Sequence, residues 1–168
     1  RPEATMLGTV VHEGLHQYLE YHIKDAPIWF NEGLATFFEV SYFDRNGLFK
    51  AGVINRSRLP VLIYALEGRI KGASIMTLKN LMLTDHSAFM RGLGAQVSVN
   101  YAQSWSLIYF MLTNPSLAKQ FLRPYFNELC DGASKEEAFN KVFKNDVKKI
   151  EDLWKEYYRN RKYLKNIC

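Results

Sequence analysis

A chain of 168 residues, 48% of them hydrophobic, is long enough to bury one sizeable core without disulfide staples, and its length suits a single domain. Its net charge of +5 is modest, with Lys and Arg gathered after Lys141 among Glu and Asp at helical spacings. Such a pattern is a solvated helix face, and with no groove-reading motif beside it the charge gives no ground for a nucleic-acid partner. No apolar run reaches the roughly eighteen residues of a transmembrane segment. The two cysteines, Cys130 and the terminal Cys168, do not make a disulfide framework.

The periodicity predicts a first helix over residues 2–21, with Leu7, Val10, Val11, Leu15 and Leu19 as its apolar stripe. Beside that stripe stands His12-Glu13-Gly14-Leu15-His16. Residues four apart on a helix lie one above the other, so His12 and His16 can offer two imidazole nitrogens to one metal ion. Glu13 points about 100° further round, too far to share the ion with both histidines but close enough to reach a water beside it. That is a general base's place.

A second helix is predicted over residues 27–39, where Pro27 opens a run of aromatic residues at helical spacing. If the two helices fold back antiparallel, the residues between His16 and Glu32 centre on Lys24, beside the turn-like Asp25-Ala26-Pro27. Glu32 then comes level with His16, and Thr36, one turn later, with His12. The result is three ligands and an open fourth position, the catalytic form of a zinc site. Each ligand imidazole also needs an acceptor for its other ring N–H. Thr36 is the first candidate for His12, with the glutamates Glu39 and Glu20 as alternatives.

The pair HEGLH and WFNEGLATFFE resembles the gluzincin metallopeptidases, in which HExxH supplies two ligands and a glutamate in a W-x-N/S-E-G-x-A helix supplies the third. The likeness is to the compact peptidase-MA-like group, including the bacterial family DUF1570, more than to the aminopeptidases, whose gap between the motifs is longer. The resemblance implies a mainly α, gluzincin-type catalytic domain with a small β-hairpin and one Zn2+ held by His12, His16 and Glu32. Its implied activity is hydrolysis of a peptide or protein substrate with Glu13 as general base, in an extracytoplasmic bacterial location. Gluzincins carry a substrate-holding sheet ahead of the zinc helix, and the short stretch before His12 leads us to expect that sheet outside this chain. The strand that holds a free amine in aminopeptidases would lie there too, so the choice between endo- and exopeptidase stays open. A zinc-retaining domain that binds peptide or protein without turnover is the alternative, and a helical domain without metal the third reading.

Further along, Asn46-Gly47 between short apolar runs predicts a β-hairpin with strands over residues 40–43 and 48–54, either lining the cleft or standing on the surface. Pro60 opens a short helix expected to end near Gly72, a second short helix follows over residues 77–83, and residues 85–89 read as a loop. His86 and His22 find no role as ligands. A largely buried helix is predicted over residues 100–112. Its Tyr101, in Tyr-Ala-Gln-Ser, resembles the gluzincin tyrosine that opens a helix and donates its hydroxyl to the oxyanion; a core aromatic is the other reading, and Tyr109 the fallback. Three more helices are expected over residues 116–130, 134–143 and 146–164, with a capping box at Ser134 and Glu137.

Overall fold

The computed structural model of the protein describes residues 2–92 and 94–160, with side chains described from Met6 onward. The chain is mainly helical, and its strands among the described residues are the two of a small antiparallel hairpin. Helix α1 (Pro2–His22) turns at residues 23–27 into α2 (Ile28–Phe38), and the two pack together. Strands β1 (Tyr42–Phe43) and β2 (Phe49–Lys50) pair with Tyr42 opposite Lys50. Helices α3 (Arg58–Leu66), α4 (Leu78–Leu83) and α5 (His86–Phe89) lead to α6 (Gly94–Leu112). The rest is α7 (Pro115–Leu117), a π-helical turn over Ala118–Leu122, α8 (Arg123–Cys130), α9 (Lys135–Val142) and α10 (Val147–Arg159).

Helix α6 is the axis of the core. It is buried from Val99 to Met111 apart from the half-buried Tyr101, and packs against α2 and α3. Its buried Asn100, Gln103 and Ser106 side chains are hydrogen-bonded, while the Ser104 hydroxyl has no partner. Gln103 brackets Met76, accepting from its N–H at 3.0 Å and donating to its carbonyl at 2.7 Å. Ser106 accepts from the Trp154 indole at 3.1 Å, which ties α10 to α6. Helix α2 meets α6 at Gly33, where an added Cβ would lie 2.7 Å from Ile108 Cγ1 and 2.8 Å from the Ser104 carbonyl. This close approach seats α2 on the core on one side of Glu32 and leaves the carboxylate to face α1.

The elements differ from the sequence-based expectations in several places, each with a physical cause. Leu7 and Val10 are exposed rather than buried in a stripe: α2 ends beside Gly8, which meets Glu39, and so does not cover Leu7, while Val10 points about 200° round the helix from Gly8, away from α2. The hairpin strands are two residues each. Its turn is set by Asp44, whose Oδ1 accepts from the backbone N–H of Asn46 and of Leu48 at 2.9 and 3.0 Å. Helix α3 stops at Leu66, ahead of Gly68 at φ 67°. Residues 86–89 are a helical turn rather than a loop, since Asp85 accepts from the Ala88 N–H at 2.7 Å as an N-cap. Helix α6 begins at Gly94, so Tyr101 sits within it and not at its start. The expected single helix over 116–130 is interrupted by the π turn. Pro124 lacks an N–H for the fourth carbonyl back and crowds that carbonyl, and a widened turn just ahead relieves the clash. The capping box is present, with Ser134 N–H donating to Glu137 at 2.8 Å and Glu137 N–H to Ser134 at 3.2 Å. Helix α10 is described to Arg159, and its expected extension beyond residue 160 falls outside the described residues.

Candidate metal centre

The antiparallel packing of α1 and α2 brings His12, His16 and Glu32 together. The imidazoles meet edge to face with centroids 4.7 Å apart. Glu32 Oε2 stands 3.6 Å from His12 Nε2 and 3.8 Å from His16 Nε2. Ligand atoms around a tetrahedral zinc, each about 2.0–2.2 Å from it, are roughly 3.3–3.6 Å from one another, so the two carboxylate distances are within a few tenths of an ångström of what such an ion needs. Among the described residues, these three form the one group of His, Cys, Asp or Glu whose ligating atoms converge, all within 4.8 Å. Glu32 Oε2 is also buried and has no hydrogen-bond partner. A buried carboxylate oxygen without a donor is costly, and a cation seated between it and the two Nε2 atoms would remove that cost.

The far side of each ring is held by α2. His12 Nδ1 lies 2.9 Å from Glu39 Oε2, and His16 Nδ1 lies 2.7 Å from Asn31 Oδ1. With each Nδ1–H donating to its oxygen, the deprotonated Nε2 atoms would present their lone pairs toward Glu32, the tautomer a metal needs. Glu39 is itself fixed, its Oε1 accepting from the buried Asn55 Nδ2 at 2.8 Å. Asn55 Oδ1 in turn accepts from the Ser57 hydroxyl at 2.7 Å and from the Arg58 N–H at 3.2 Å, capping α3. A continuous chain of hydrogen bonds therefore joins the start of α3 to His12.

Thr36 does not take the place expected of it. It is fully buried and its Oγ1 has no hydrogen-bond partner, whereas Glu39 accepts from His12. Seven residues of helix bring Glu39 to within about 20° of Glu32's direction, and its longer side chain spans the gap. Glu20 is exposed and bonds neither histidine. Asn31 and Asn55 were not singled out by sequence reasoning. Asn31 is the residue just before Glu32 in the second motif and could have been found there; Asn55 comes from a loop with no signal of its own.

Glu13 is exposed and lines a cleft of about 860 Å³ together with Leu7, Thr9 and His12 of α1 and with Ser41, Tyr42 and Ser57 opposite. The hairpin thus contributes Tyr42 to the cleft wall. Tyr101 is half-buried, with its ring edge-to-face on Phe89 and the Arg58 guanidinium 5.1 Å above its centroid. Burial, and after it the Glu32 carboxylate, push its phenol above the ordinary value, while Arg58 pulls the other way. Tyr101 therefore feels the charge of both Glu32 and Arg58. Tyr109, the fallback, is fully buried against Phe37 and Trp105. His22 packs on Tyr18 and Tyr21 at the end of α1, and His86 is exposed on α5; neither joins the cluster.

Charge at the centre is acidic around a basic ring. In the metal-free protein the Glu32 carboxylate first and Glu39 second raise His12 to about 9, against a smaller opposing effect of burial. A divalent cation would replace that proton.

No helix among the described residues is long and apolar enough to cross a membrane. No curated protein and no solved structure matches the chain. A family model does, over residues 6–149, which takes in both motifs, the hairpin, Tyr101 and nearly all the buttressing helices. The protein is therefore a member of the DUF1570 family, a family of proteins of unknown function.

Proposed function

We propose that this protein is a zinc-dependent peptidase of gluzincin type, with His12, His16 and Glu32 as its metal ligands. The observation that carries the reading is the buried, unbonded Glu32 Oε2 facing two Nε2 atoms whose opposite nitrogens are already held. Bound there, zinc would supply Lewis acidity and bring the pKa of a water to about 7.

The chain's own residues supply the rest. Glu13, on the open side of the ligand pair and lining the cleft, takes a proton from the attacking water as its oxygen bonds to the peptide carbon. It returns that proton to the amide nitrogen as the C–N bond breaks, so that the products are a carboxylic acid and an amine. Tyr101 donates its hydroxyl to the carbonyl oxygen as that atom gains charge, a role suited to a phenol that stays neutral. Glu39 and Asn31 keep the two rings from turning.

The test is Glu13→Gln. The variant should keep its zinc and its ability to bind peptide while losing several orders of magnitude in turnover of a mixed peptide library. Equal turnover in the two proteins would remove Glu13 from the mechanism. Zinc and peptide binding with no turnover in the wild type would instead favour the non-catalytic peptide-binding domain.

A further inference from the structure

Arg58 is the first residue of α3, next to Ser57 on the cleft wall. Its guanidinium is laid 5.1 Å over the ring of Tyr101, whose phenol also feels the Glu32 carboxylate. Among the described residues no carboxylate pairs with it, and its Nε is buried without a hydrogen-bond partner. The nearby acids are committed elsewhere, Glu39 to His12 and Asn55, and Glu32 to the ligand cluster. The aromatic face holds the guanidinium in place, but its planar donors, which match a carboxylate as a fork, are left without an anion, and the buried Nε is uncompensated.

We propose that Arg58 determines specificity by binding a carboxylate of the substrate, so that the site prefers peptides presenting a carboxylate close to the scissile bond. This inference rests on the peptidase reading for what the site does with the peptide, but not for whether the carboxylate binds. The carboxylate comes either from the chain's C-terminus or from an acidic side chain. The α3 cap holds the Arg58 backbone in place through Asn55 and Glu39, so the anion site and the metal centre form one rigid unit.

Binding is measured by calorimetry on the full chain carrying Glu13→Gln and loaded with zinc, so turnover does not enter. Two sets of random-sequence tetrapeptides serve as probes: free C-terminal acids against the matching amides, and amidated peptides containing Glu against the same peptides containing Gln. The expected result is binding about ten- to a hundredfold tighter for the carboxylate member in one of the two sets, with the set naming the source. Arg58→Gln should abolish that preference while leaving zinc content and melting temperature near those of the parent, and Arg58→Lys should restore it only in part, because an ammonium lacks the fork. No preference in either set, no peptide binding at all, or a preference that survives Arg58→Gln would each overturn the proposal. In the active protein a lost carboxylate contact raises KM for the preferred peptide alone. A uniform fall in kcat on acids and amides would mean that Arg58 only positions Tyr101, and the proposal would be wrong. Wild-type protein that cleaves acids and amides alike counts against Arg58 and leaves the peptidase reading standing; carboxylate-selective binding without cleavage does the reverse.

Discussion

Glu39 and His12 lie 27 positions apart in the chain and 2.9 Å apart in space, Oε2 to Nδ1. This contact, with its counterpart between Asn31 and His16, makes the rings of α1 dependent on α2 for their orientation. Glu39→Gln should therefore weaken zinc binding roughly ten- to a hundredfold without removing a ligand. Asn55→Ala, which releases the other Glu39 oxygen, should have a smaller effect in the same direction. Competition against a fluorescent chelator measures both. Unchanged affinity in Glu39→Gln would mean that the ring needs no such partner.

The metal-free protein should lose stability as the pH rises. His12 is held at about 9 against an ordinary 6.5, chiefly by Glu32 and then by Glu39, so the folded state holds the proton more tightly than the unfolded chain. That stabilisation is complete below the unfolded value and is lost as pH climbs through the folded one. Melting temperatures of chelator-treated protein should fall between about pH 6.5 and about pH 9, and His12→Ala should flatten the curve over that window. Zinc binding in the same window should release a proton, visible as a dependence of calorimetric heat on the buffer. A melting temperature that climbs through it would contradict the assignment.

Gly33 and Gly14 form a contrasting pair. An added methyl at Gly33 would press on Ile108 and on the Ser104 carbonyl, while at Gly14 it meets nothing within 4 Å. Gly33→Ala should cost about 1–3 kcal/mol by overpacking and, by shifting α2, should also weaken zinc binding. Gly14→Ala should stabilise the exposed helix by up to about 1 kcal/mol. Urea unfolding of the two variants checks both signs, and equal effects would mean that α2 does not sit so tightly on α6.

What could be read in the sequence was what local spacing controls. The four-residue step from His12 to His16 and the turn at Asp25-Ala26-Pro27 predicted that Glu32 would face the histidines, and the structure places its carboxylate against both rings. The Ser134 capping box was legible because it is made within four residues. Thr36 was misplaced because a level-for-level reading ignores side-chain length, and the longer Glu39 reaches the ring instead. Asn55 and Arg58 were invisible. Their roles depend on where α3 packs against α6, a relationship that no periodicity in residues 50–60 encodes. The exposure of Leu7 likewise depends on how far α2 extends along α1, and that of Val10 on which face of α1 meets α2; the apolar pattern of α1 itself sets neither.

The most direct test of the account is the metal content of the purified protein, measured by elemental analysis on the wild type, Glu13→Gln and His16→Ala. The wild type and Glu13→Gln should each carry about one zinc per chain, and His16→Ala should carry little. Stoichiometric zinc in His16→Ala, or none in a wild type offered zinc, would contradict a metal centre at His12, His16 and Glu32.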